Sequence, residues 1–193
     1  MRKGLHAALF FAAATTLGAC QQEVAQDVTP RDMTAETLGH YCQMNLMEHP
    51  GPKAQVFMQG YAAPLFFSQV RDAIAYTRAP EQIAPILAVY VNDMGATSAT
   101  WDVPGEGNWI AADTAFYVLG SAVEGGMGAP EAVPFSSREQ AEAFVQAEGG
   151  HVLELANIAD DMVLAPVEMN ADDGSDDEDV NERLHTLHTR AGE

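Results

Sequence analysis

The longest apolar stretch of the chain comes first. Residues 5–17 carry only His6, Thr15 and Thr16 as polar positions and follow the basic pair Arg2 and Lys3. Such a run is too short for a permanent membrane-spanning helix, and its flanks fit a removable export signal. Beyond residue 35 the apolar positions fall in short runs punctuated by Gly and Pro, a pattern that predicts strands rather than a helical bundle. Strands are expected at residues 54–59, 86–92, 115–119 and 151–155. One helix is expected after Phe67, with Ser68 as N-cap and Val70, Ile74 and Tyr76 on its apolar face. A second follows Phe135: Ser137 and Gln140 suit a capping box, Ala141, Phe144 and Val145 form the face, and Gly149-Gly150 supplies the stop.

The two helical segments resemble each other. Phe67-Ser68 matches Phe135-Ser136, Ala73 matches Ala141, Ala75 matches Ala143 and Tyr76 matches Phe144, every pair 68 residues apart. This predicts an α+β body at residues 36–168 built from two similar strand–helix–strand halves, about 36–95 and 108–160. No stretch after the leader approaches transmembrane length, so a soluble body is expected. Residues 20–35 read as a linker and residues 169–193 as an acidic tail too poor in apolar side chains to order itself.

Charge narrows the partners. The whole chain carries a formal charge of −19, and residues 1–19 contain two basic and no acidic side chains, so export leaves an even more negative protein. Eight of the acids lie beyond residue 170. Such a surface repels nucleic acid and anionic headgroups and attracts cations or basic surfaces.

The two cysteines carry the chemistry. Leu17-Gly18-Ala19-Cys20 ends the apolar run as a lipobox does, so Cys20 is expected to be the acylated first residue of the mature chain, with residues 1–19 as its signal peptide. Cys42 is then the sole remaining thiol in a compartment where thiols normally pair. It stands in His40-Tyr41-Cys42-Gln43-Met44, beside a thioether and two imidazoles, a donor set suited to a soft ion such as Cu(I). On a strand, Cys42 and Met44 would face the same way; a loop would also let them converge. The plainer alternative is a buried thiol beside a core methionine.

Glu48-His49-Pro50-Gly51-Pro52 follows as a rigid surface loop, incompatible with a helix interior or central strand. Met127, within Gly125-Gly126-Met127-Gly128, has no regular element to pack on and is a further sulfur candidate. His49 and His40 are the nearby nitrogen donors, His49 preferred because a rigid loop holds it. Met58 reads as core, Met94 as core or ligand, and His151 as structural or exposed. His185 and His188 in the tail either bind metal transiently or are solvated. Enzymatic use of Cys42 finds little support: there is no resolving cysteine, and a Cys42/His49 hydrolytic pair lacks a nucleophile turn and an oxyanion hole. Two readings remain, a Cu(I) carrier and a structural or docking envelope lipoprotein with an inert Cys42.

At this point the sequence resembles the NosL family, copper-binding lipoproteins accessory to nitrous oxide reductase maturation. The resemblance rests on Cys42-Gln43-Met44, Glu48-His49-Pro50-Gly51-Pro52-Lys53-Ala54-Gln55, Val70-Arg71-Asp72, Tyr90-Val91-Asn92-Asp93-Met94-Gly95, and Gly126-Met127-Gly128 with Pro134-Phe135. It spans about residues 40–155. It implies two ββαβ halves and a lipid-anchored metallochaperone facing the periplasm, on the inner or the outer membrane, that carries Cu(I) toward the reductase's copper–sulfide centre. The implied partners are the NosD/NosF/NosY assembly complex and the apo-reductase, with no nucleic acid, and a monomer is the default. Cys42 and Met44 would hold the ion, with Met127 or a histidine, His49 before His40, completing the set. The family often has Gly between the Cys and the Met; here Gln43 leaves the local turn geometry open.

Overall fold

The computed structural model describes residues 25–165. The expected signal peptide, Cys20, the expected acidic tail, His185 and His188 lie outside the described residues. The first half runs β1 (Ala54–Met58), β2 (Leu65–Phe67), α1 (Val70–Arg78) and β3 (Ile86–Asn92). A short strand β4 (Trp109–Ala111) adds to its edge. The second half runs β5 (Phe116–Leu119), β6 (Val133–Phe135), α2 (Arg138–Glu148) and β7 (His151–Glu154), followed by α3 (Asp160–Leu164).

The sheets are antiparallel, ordered β2-β1-β3-β4 and β6-β5-β7. In each half the first strand is central, the second pairs on one side, and the strand after the helix pairs on the other. The duplication is therefore present as two ββαβ units, with β4 as an addition.

Alternation explains the burial of β1, whose five residues are all buried. Ala54, Val56 and Met58 join the main core, which also holds Val70, Ala73 and Ile74 of α1 and Tyr117 and Leu119 from the second half. The intervening Gln55 and Phe57 meet the segment before the first element. Gln55 exchanges two hydrogen bonds with the Arg31 backbone, and the Arg31 guanidinium lies over the Phe57 ring. Farther up, Gln26 bonds Met58 O, Tyr61 O and Gly60 N. Part of the stretch expected as a linker thus lies along the first sheet.

In β5, Tyr117 and Leu119 face the shared core, whereas Phe116 and Val118 face α2. Because α2 lies on this outer side, Ala141 is its one buried residue, against four in α1.

The expected strands match β1, β3, β5 and β7 within a residue at either end. β2, β4 and β6 were not anticipated; three residues each are too few to show alternation. Two cap assignments are corrected. The N-cap of α1 is Gln69 rather than Ser68. Ser137 stands at the N-cap of α2 but makes no side-chain cap bond. Gln140, expected to close the capping box, donates instead to Gly95 O at 2.7 Å. The stop after α2 is as expected, with Gly149 at φ +75°.

Candidate metal centre

Cys42 and Met44 sit on a tight turn. A bridge between Leu38 and Asn45 closes it, with Gly39 N donating to Met44 O and Gln43 N to Gly39 O. Gln43 adopts φ +54°, the one left-handed non-glycine among the described residues. Its amide offsets that strain by donating to His40 O at 2.7 Å and Gly39 O at 3.2 Å. The open question of Gln43 in place of glycine is thus answered: the turn needs a left-handed residue, and this chain supplies one that braces itself. The geometry is that of a loop, not of a strand.

Cys42 is half-buried and free. Its Sγ packs over Gly39, where an added Cβ would overlap it, and Leu46 closes the same spot. Gly39 is therefore required for this cysteine rotamer, a role the sequence did not advertise. Met44 is 43% exposed and Leu46, fully buried, pins the segment. His40 packs edge-on against Phe67 and Tyr76 and tilts on Tyr41, so its ring anchors the turn to β2 and α1.

Met127 rides on the long connection between β5 and β6. A bridge from Glu124 to Pro130 narrows the loop, and Gly128 N donates to Gly125 O. Met127 is 42% exposed, while its backbone N–H donates at 2.8 Å to Oε1 of the fully buried Gln69. The loop presses on the first half so closely that a Cβ on Gly126 would lie 2.7 Å from Pro50 O and 2.8 Å from His49 Cβ. His49 Nδ1 is 2.9 Å from Gly126 O. A carbonyl only accepts, so Nδ1 donates and Nε2 keeps the lone pair a metal needs. The structure thus brings His49 against the Met127 loop and joins it to the Cys42–Met44 turn through a 3₁₀ turn, Leu46–Glu48.

Met58, Met94 and His151 fall within their expected roles, and the Pro-Gly-Pro segment does not. Met58 is core and accepts from Tyr76 Oη. Met94 packs on the cluster of Val118, Val133, Phe135 and Ala141, with its N–H on Pro134 O, a structural role. His151 is exposed at the start of β7. The Pro-Gly-Pro segment, expected on the surface, turns inward after Pro50: Gly51 and Pro52 are buried, and Gly51 N donates to Trp101 O.

A buried polar layer underlies both loops, and sequence reasoning missed it. Lys53, 1% exposed, donates through Nζ to Pro50 O and Gly51 O. Glu131, 2% exposed, accepts from the N–H groups of Arg71 and Ala132 through Oε1, while Oε2 has no partner among the described residues. Burial pushes the Glu131 carboxyl up to about 8 and the Lys53 ammonium down to about 8, each toward its neutral form. Glu131 Oε2 and Gln69 both lie where a Gly125 side chain would be. The available signal was Glu131 itself, a lone acid between Pro130 and the apolar Ala132-Val133.

Asn92 and Asp93 tie the halves together. Asn92 accepts from Lys53 N through Oδ1 and donates through Nδ2 to Asn108 O, and Asp93 Oδ1 accepts from Gly95 N and Ser136 N.

Among the described residues, no three His, Cys, Asp or Glu side chains converge to hold a metal ion. The sulfur side chains these loops carry, Cys42, Met44 and Met127, are of the type that suits a soft ion.

Fold and site together define a duplicated ββαβ protein that carries thiol and thioether donors on its surface turns. The family profile described as NosL matches residues 30–163. The chain is 68% identical over 192 residues, spanning the full length of both proteins, to the copper-binding lipoprotein NosL of Achromobacter cycloclastes. It is 30% identical over 138 residues to the copper-binding lipoprotein NosL of Stutzerimonas stutzeri, covering 72% of this chain and 70% of that one. The crystal structure of the copper chaperone NosL from Shewanella denitrificans superposes with a TM-score of 0.64 at 28% identity, over 69% of this chain and 98% of that one. The chain belongs to the NosL family.

Proposed function

We propose that this protein is a lipid-anchored carrier of Cu(I), held to the envelope through Cys20 with its body facing the periplasm. The observation that carries the reading is the donor set itself. Cys42, Met44 and Met127 present sulfur from exposed or half-exposed turns, His49 keeps a free imidazole nitrogen, and among the described residues no three His, Cys, Asp or Glu side chains converge. Relatives named copper-binding lipoproteins and a neighbour titled a copper chaperone support it.

Cys42 thiolate and Met44 hold the ion, and Met127 or His49 completes the set. Release proceeds by ligand exchange, a partner's sulfur or imidazole adding before Cys42 leaves. Donors on surface turns allow that mixed intermediate, which a buried cage would block. The recipients we propose are the NosD/NosF/NosY assembly complex and, through it or directly, apo nitrous oxide reductase at its copper–sulfide centre. The protein acts as a monomer without catalysing a reaction.

Anaerobic titration of the reduced body (residues 21–193) with Cu(I) against a chelating competitor tests this. Cys42→Ser should weaken the tightest site by about a hundredfold or more, ~2.7 kcal/mol, and Met44→Leu should weaken it measurably. Binding indifferent to Cys42 would refute the carrier and leave a structural lipoprotein.

A further inference from the structure

Cys42-Gln43-Met44-Asn45-Leu46-Met47-Glu48-His49 contains two soft-donor pairs, Cys42 with Met44 and Met47 with His49, on either side of the fully buried Leu46. The first pair lies on the turn closed by Leu38 and Asn45. The second flanks a pocket of about 100 Å³ whose wall includes Met33, Met47 and His49, with Asp32, Asp102 and Glu106 around them. We propose that this pocket is a second Cu(I) site, with the thioethers of Met33 and Met47 and Nε2 of His49 as ligands.

Each donor is placed by bonds that do not involve the proposed ion. Met33 follows Arg31, whose backbone is fixed on Gln55, and Asp32, whose carboxylate accepts from Gly107 N at 2.7 Å. Met47 stands in the 3₁₀ turn, its N–H bonded to the capping Asn45 side chain at 3.0 Å. Met47 is 53% exposed, an apolar side chain left at a pocket mouth.

The imidazole nitrogens lie on opposite edges of the ring. With Nδ1 committed to Gly126 O, Nε2 keeps the lone pair a metal needs, and His49 is part of the pocket wall. Two thioethers and a neutral imidazole suit a monovalent soft ion and discriminate against Zn(II) and Mg(II). The carboxylates favour a cation, and Lys53, which also lines the pocket, commits its ammonium to Pro50 O and Gly51 O. Because His49 also touches the loop that carries Met127, the pocket adjoins that loop.

The identity of the ion rests on the proposed function; the donor set does not. The test uses the reduced mature chain with ¹³C-methyl-labelled methionine, titrated anaerobically with Cu(I) beyond one equivalent. The Met33 and Met47 methyl signals should shift or broaden as the second equivalent is added. Met33→Leu combined with Met47→Leu should weaken the second ion by about tenfold or more and leave the first within about twofold. Unmoved Met33 and Met47 methyls, as when the second ion goes to His185 and His188, overturn the proposal, as does a second ion held equally well by the double variant. Loss of the tight ion in Cys42→Ser reports separately on the carrier reading, so failure of one is distinguishable from failure of the other.

Discussion

Gln43 shows how a single backbone angle builds the thiol turn. A non-glycine residue in the left-handed region costs about 1 kcal/mol, more when it is β-branched. Gln43 recovers part of this through its amide bonds to His40 O and Gly39 O. Gln43→Val loses both bonds and adds strain, so we expect a destabilisation of about 2 kcal/mol by urea unfolding. An unchanged midpoint would show that the turn has no left-handed requirement.

Glu131 and Lys53 give stability an unusual pH profile. The native Glu131 carboxyl keeps its proton up to about 8 while the unfolded one loses it near 4.5, so the native state binds more protons and stability falls as pH rises through that window. Native Lys53 loses its proton near 8 while the unfolded ammonium holds it to 10.5, so stability recovers above pH 8. A minimum near pH 8 is therefore expected in denaturation series. Glu131→Gln should remove the falling limb and be more stable than the parent at pH 8; an unchanged profile would show that Glu131 does not titrate in this window. Beyond the isolated acid at Glu131, this buried layer was not legible in the sequence, because Lys53, Gln69 and Glu131 are far apart along the chain and only the packing of the loops seals them from water.

At the scale of elements, hydrophobic periodicity located β1, β3, β5, β7 and both principal helices, since each repeats its pattern long enough to be read. The three-residue strands escaped it, although two of them complete the ββαβ units that the family resemblance implied. Cap chemistry misled for a related reason. Gln69 and Gln140 sit at helix starts, yet their amides serve the tertiary contacts to Met127 N and Gly95 O rather than their own helices.

The β5–β6 connection shows where the duplication has diverged. Its first-half counterpart is a short hairpin, whereas this one extends to lay Gly126 on His49 and Pro50. Gly126→Ala must lift the loop, because Pro50 O is backbone and cannot yield cheaply. We expect at least about 1 kcal/mol of lost stability and a loss of Cu(I) affinity larger than that of a stability-matched variant in α2. Equal affinity would separate the loop's packing from metal binding.

At the scale of the molecule, two ββαβ units share one core, and the second unit's β5–β6 loop meets the first at His49, Pro50 and Gln69. Cys42, Met44, Met127 and His49 were legible as candidate donors because each stands in a turn-forming context; Met33 and Met47 were not, because only the fold brings them to one pocket. The strong negative charge favours docking on basic surfaces, an attraction that salt weakens.

The central claim is that sulfur from Cys42 and its thioether neighbours binds the cargo. Copper K-edge X-ray absorption of the anaerobic one-equivalent complex tests it most directly. The edge should be that of Cu(I), with a first shell dominated by sulfur that loses a sulfur scatterer in Cys42→Ser. A shell of nitrogen and oxygen alone, or one unaltered by that substitution, would contradict it.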